Sequence, residues 1–191
     1  MSAAAMESAG PLAGREIVVA VTGSIAAYKA AEVVSRLVQK GAGVTVAMTH
    51  AATQFIGPLT FQTITRRRVW VDPFDLESVV APTHVSLTDR AHLVVVAPAT
   101  ANFLAKAAAG LADDMPTSLL LAVACPVLVA PAMNDRMWNH PAVRENVEKL
   151  RRRGLRFVEP ESGFLACGTY AQGRLAEPAR IVAEAEKILG T

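Results

Sequence analysis

Short apolar, β-branched runs alternate along this chain with longer stretches whose apolar positions recur every three or four residues. Residues 17–21, 44–48, 92–97, 127–130 and 155–158 have the composition of buried strands. Between and after them, residues 25–40, 101–109, 114–124, 142–153 and 178–189 have helical periodicity, with Pro141 near one helix start. Residues 53–65 predict two short helical pieces split at Gly57-Pro58. This βαβα order implies an α/β fold. The sheet is expected to be parallel, doubly wound and Rossmann-like or flavodoxin-like, with five or six strands and helices on both faces. One long irregular segment, residues 160–177, carries Gly163, Gly168 and Gly173. A loop of that length in a compact domain predicts a flap over a site.

The chain has 191 residues, which suits one domain over residues 15–191 preceded by a small, polar lead-in at 1–14. Apolar residues make up 52% of the sequence, and the mean hydropathy is +0.31. One core of this size cannot hide so much apolar surface, so other subunits are expected to cover part of it. The net charge of +2 and the runs Arg66-Arg67-Arg68 and Arg151-Arg152-Arg153, without interleaved aromatics, predict solvated faces and no nucleic-acid partner. Cys125 and Cys167 form no disulfide framework, and the four histidines have no metal-ligand spacing, so no metal is expected. No signal peptide is visible, and the longest apolar stretch, 118–133, is broken by Pro126 and Pro131. The expectation is a protein of the reducing cytoplasm with no membrane span.

Candidate chemistry collects where the strands end. In open α/β sheets ligands bind beyond the carboxyl ends of the strands. The run 126–130 leads into Pro131-Ala132-Met133-Asn134-Asp135-Arg136-Met137-Trp138. There Asn134 can read a polar substrate group without changing charge, or can simply cap a helix. The first strand leads into Gly23-Ser24-Ile25, a glycine and a hydroxyl at a predicted helix N-terminus. That is a seat for one phosphate, with Ser24 as the expected cap. The pattern is not GxGxxG, and no acid follows Thr49-His50 to hold a ribose hydroxyl. A ligand with a single terminal phosphate, such as FMN or a small phosphoester, fits better than NAD. The strand at 92–97 runs into Pro98-Ala99-Thr100-Ala101-Asn102, where small residues admit a flat ring. His84, ahead of that strand, has the residue type of a general base, whereas His92 is expected to be a satisfied core or edge residue. Cys167 lies in a glycine-rich loop and is the more reactive candidate; Cys125 precedes a buried strand.

Four of these segments, in this order, resemble the homo-oligomeric flavin-containing cysteine decarboxylases. They are Gly23-Ser24-Ile25-Ala26-Ala27-Tyr28-Lys29, Pro98 to Asn102, Pro131 to Trp138, and the flap Ser162 to Gly168 with Gly173-Arg174-Leu175. Within that family the match is nearest to the N-terminal half of bacterial bifunctional coenzyme A biosynthesis proteins. The resemblance implies FMN held between subunits of a trimer or dodecamer, contacted at Gly23, Ser24, Ile25, Thr49, Pro98, Thr100, Ala101 and Asn102. It implies His84 as base, Asn134 on the substrate carboxylate and Cys167 as proton donor, with Ala132, Met133 and Ala166 also touching substrate. The implied reaction is decarboxylation of 4′-phosphopantothenoylcysteine to 4′-phosphopantetheine and carbon dioxide, with a phosphopantothenate–cysteine ligase as a further partner. The stretch Val79-Val80-Ala81-Pro82-Thr83 departs from the aromatic-acidic lead-in expected before the base. Two rival readings are a flavin prenyltransferase and a non-catalytic flavin-binding regulatory subunit.

Overall fold

The computed structural model describes residues 10–73, 87–166 and 168–190. His84 and Cys167 lie outside the described residues. Strands β1 (Glu16–Val21), β2 (Gly43–Met48), β3 (Val69–Trp70), β4 (Leu93–Ala99), β5 (Val127–Pro131) and β6 (Arg156–Phe157) form one sheet in the order β3-β2-β1-β4-β5-β6. Every neighbouring pair in it is parallel. This is the Rossmann order; without the two-residue edge strand β3, the remaining five follow the flavodoxin-like order. The expected doubly wound α/β sheet is therefore present, with six strands.

Alternation along the strands explains why helices cover both faces. Ile17, Val19 and Val21 of β1 join a core with α1 (Ala27–Gln39), while Val18 and Ala20 point to the opposite core. In α1 the buried residues Ala27, Ala30, Val33, Val34 and Leu37 recur at helical spacing and form one stripe. Leu37 is fully buried, so truncating it to alanine is expected to cost about 2–5 kcal/mol. The second face is closed by α3 (Ala101–Ala109), α4 (Met115–Ala122) and α6 (Pro141–Arg152), through Phe103, Leu104, Leu119, Val147 and Leu150. Helices α2 (Pro58–Thr65) and α7 (Pro178–Leu189) complete the first face through Phe61, Ile181 and Val182.

Several local expectations are corrected. The helix predicted from residue 25 starts at Ala27, because Ser24 to Ala27 first form a turn, with the Ala27 N–H donating to the Ser24 carbonyl at 2.9 Å. The first of the two short helical pieces is a 3₁₀ turn over His50–Gln54. The strand at 92–97 is shifted to Leu93–Ala99. His92 stands just outside it, exposed, its Nδ1 accepting the Glu16 N–H at 3.0 Å. A four-residue helix, α5 (Asp135–Trp138), occupies the loop after β5. The segment 160–177 is not irregular: β7 (Glu161–Phe164) and β8 (Tyr170–Arg174) pair antiparallel as a separate hairpin.

Candidate functional site

The carboxyl ends of β1 and β4 meet at the switch point of the sheet, where the chain crosses to opposite faces. Thr22, buried immediately after β1, ties them together. Its hydroxyl donates to the Pro98 carbonyl at 2.7 Å and accepts the Thr100 N–H at 3.0 Å. Pro98 is buried and contributes this carbonyl rather than a wall surface. Thr49 caps the 3₁₀ turn through the Ala52 N–H, and Thr100 caps α3 through the Phe103 N–H. Each cap satisfies one donor at its helix start. The loops after β1 and β2 approach so closely that a Cβ on Gly23 would lie 2.6 Å from that of Ala51. Only glycine fits there, whatever its φ.

Around these loops lies a cavity of about 540 Å³, lined by Gly23, Ser24, Thr49, Thr100, Ala101 and Asn102 among others. Six of the eight expected cofactor residues are thus brought onto one wall. Ile25 lines a neighbouring cavity instead, and Pro98 acts through its carbonyl. The cavity also contains Lys106, Asp114 and Met137, which the sequence reading missed. Lys106 Nζ contacts Asp113 Oδ1 at 2.7 Å and Asp114 Oδ2 at 3.1 Å. These hydrogen bonds hold the ammonium pKa above its usual range, and the one from Lys106 holds Asp113 below the usual carboxylate range. Asp114 also caps α4 in a reciprocal capping box with Thr117. One acid thus fixes the helix start and the lysine together.

The neighbouring cavity, about 410 Å³, is lined by Ser24, Ile25, Tyr28, Lys29, Ala132, Met133, Asn134 and, from the hairpin, Phe164, Ala166 and Arg174. Ser24, Ala132 and Met133 belong to both cavities. They lie where the two chambers adjoin. Asn134 is both a helix cap and a wall residue: its Oδ1 accepts the Arg136 N–H at 2.8 Å at the start of α5. The capping alternative therefore holds, and it orients the amide at the cavity. Ser24 does not cap α1, whose N-cap is Ala26; its Oγ accepts the Ala26 N–H at 3.3 Å. The hairpin is latched to the Asn134 loop through Met133 N–H to Gly173 O, 2.9 Å. Lys29 and Arg174 share Glu177 Oε1, at 3.1 and 2.7 Å. Cys125 lies apart from both chambers on the described surface, and burial pushes its thiol pKa up. Among the described residues there is no cluster of three potential metal ligands, and no helix long and apolar enough to cross a membrane.

A doubly wound α/β sheet with two adjoining chambers at its switch point places the protein in the class whose ligands bind in that crevice. The chain belongs to the Flavoprotein family, whose model matches residues 5–190. It is 48% identical over 176 residues to the coenzyme A biosynthesis bifunctional protein CoaBC of Bacillus subtilis, covering 92% of this chain and 43% of that protein. Identity to the Vibrio cholerae protein of the same name is 45% over 175 residues, covering 92% and 44%. The chain spans less than half the length of these relatives. Among solved structures, the FMN-dependent cysteine decarboxylase SpaF superposes with TM-score 0.82 at 35% identity, covering 94% of this chain and 99% of that one. A PPC decarboxylase mutant complexed with pantothenoylaminoethenethiol gives 0.83 at 29%, covering 93% and 99%.

Proposed function

We propose that this protein is an FMN-dependent carboxy-lyase that converts 4′-phosphopantothenoylcysteine to 4′-phosphopantetheine and carbon dioxide, a step of coenzyme A biosynthesis. The observation that carries this reading is the shared lining of two adjoining chambers. Ser24, Ala132 and Met133 line both the chamber at Gly23, Thr49 and Thr100 and the one walled by Asn134 and the hairpin, so the two adjoin. A flavin in the first and a thiol substrate in the second would meet where the two chambers adjoin. The residues present fit the flavin. The backbone cradle at Gly23 leaves no room for a Cβ, two threonines cap the adjoining turns, and small residues line the ring side.

Bound FMN supplies a reversible two-electron acceptor, so the carbon bearing sulfur can be oxidised before carbon dioxide leaves and reduced afterwards. The protein's own residues then have three tasks. Asn134 orients the substrate carboxylate through a neutral amide. A cation there would stabilise the carboxylate against departure as neutral carbon dioxide. His84 serves as the base that removes a proton during oxidation, and Cys167 returns one during reduction; both roles rest on the family resemblance. Ala132, Met133 and Ala166 shape the surface around the reacting end.

We also assign a homo-oligomer, a trimer or a multiple of three. Ile25, Phe55, Leu59 and Met137 are large apolar side chains between 47% and 72% exposed, and Ile25 and Met137 edge the open chambers. A second copy covering them would close the site. A phosphopantothenate–cysteine ligase is the proposed metabolic partner. The test is carbon dioxide release from 4′-phosphopantothenoylcysteine, with mass spectrometry of the released cofactor. FMN and one carbon dioxide per phosphopantetheine are expected. Prenyl transfer to flavin, or flavin binding without turnover, would reject the reading.

A further inference from the structure

The hairpin carries two aromatic rings that the decarboxylation itself does not use. Phe164 and Tyr170 face each other across β7 and β8, and their rings meet edge to face with centroids 5.4 Å apart and planes at 87°. They are 77% and 69% exposed. Holding two such rings in water on a short two-stranded hairpin is unfavourable unless something covers them. Phe164 lies on the wall of the 410 Å³ chamber with Ile25, Tyr28, Leu165 and Leu175. Tyr170 is off that wall, so its contact with Phe164 braces the ring from the other side. The cations on the same wall, Lys29 and Arg174, are already engaged with Glu177. What this side of the chamber offers a ligand is an apolar face built on a braced, two-torsion aromatic anchor. Such anchors bind at low entropy cost.

We propose that Phe164 is a specificity-determining residue that packs against the branched alkyl part of the substrate's acyl arm, the quaternary carbon with its two methyl groups. This rests on the proposed substrate. The reacting end is placed at Ala132–Asn134 and Ala166, and the apolar wall is where the arm leaves that end. Two methyl groups moved from water onto an apolar wall account for roughly a tenfold gain in affinity.

The experiment is calorimetric titration of the purified holoprotein with pantetheine and with its analogue lacking the two geminal methyl groups. The unsubstituted protein should prefer pantetheine about tenfold. Phe164→Ala should bring that preference within about twofold, and Phe164→Leu should keep most of it, since an apolar surface remains. Tyr170→Ala should lower the preference partway. Flavin content and the mass in solution should not change. The proposal is overturned if the unsubstituted protein shows no preference, if Phe164→Ala keeps it, or if that variant weakens both ligands equally. Dissociation of the assembly in Phe164→Ala would also overturn it, by making the ring a subunit contact. Carbon dioxide release is measured separately on the unsubstituted protein. Its absence alongside an intact, Phe164-dependent preference would reject the reaction and support the subsite.

Discussion

Replacing Gly173 by alanine should undock the hairpin without unfolding the domain. A Cβ at this position would sit 2.2 Å from the Met133 carbonyl oxygen and 3.3 Å from the Asp135 nitrogen. The first distance is about 1 Å short of any ordinary contact, and backbone rather than a flexible side chain is what it meets. The φ of +153° adds strain. Overpacking of this kind costs about 1–3 kcal/mol, and the Met133–Gly173 hydrogen bond would be lost as well, for about 1 kcal/mol more. The hairpin is a separate two-stranded sheet, so backing away is cheaper for it than disrupting the six-stranded sheet beneath. If about 2 kcal/mol of docking energy is lost, amides at the latch should exchange about 30-fold faster. Hydrogen exchange read on peptides spanning 131–135 and 161–174 is the assay, with the central strands as internal standard. Activity should fall steeply, because Ala166 and Arg174 travel with the hairpin, while flavin stays bound. Unchanged exchange at Met133, or a cooperative loss of the whole fold, would refute the reasoning.

Gly23→Ala should keep the fold but lower flavin retention at least about tenfold, since Ala51 must be pushed from the cradle; the flavin-to-protein ratio after gel filtration measures it. Glu16 is held below the usual carboxylate range chiefly by its hydrogen bond from Arg67, with burial opposing. A depressed carboxylate stabilises the fold above its ordinary value near 4.5, and that contribution is lost as pH falls through the folded value. Glu16→Gln should therefore be less stable at pH 7, by under about 1 kcal/mol for so exposed a pair, and should lose less on acidification in urea melts. Cys167→Ser should still oxidise and decarboxylate substrate but stall before reduction. In air it would release a product two hydrogens lighter than phosphopantetheine; normal product at a normal rate would make the cysteine dispensable.

The sequence reveals most where one residue's environment is set by its neighbours along the chain. Helices α3 and α7 begin and end where periodicity puts them. The central strands were legible because burial on both faces makes them continuously apolar. Thr49, Thr100 and Asn102 line one cavity because each follows a strand end on the same edge of the sheet. The missed elements are short or disguised. Edge strand β3 has two residues and α5 four, too few for any period to show. The hairpin hides because Gly163 and Gly173 interrupt its strands, as though the chain were a loop.

Two of the missed side chains, Lys106 and Asp114, are brought together only by folding. Lys106 comes from α3 and Asp114 from the cap of α4. Nothing local marks Lys106 as different from other lysines until Asp113 and Asp114 fold against it. Gly173 shows the limit most sharply. In sequence it is one of three glycines in a segment whose length predicts a flap. In the folded chain its missing side chain is what lets Met133 donate to it, and that bond fixes the hairpin against the loop bearing Asn134. The glycine serves close approach rather than flexibility. The flap is therefore a wall with a latch, and its position sets where Ala166 and Phe164 stand along the 410 Å³ chamber.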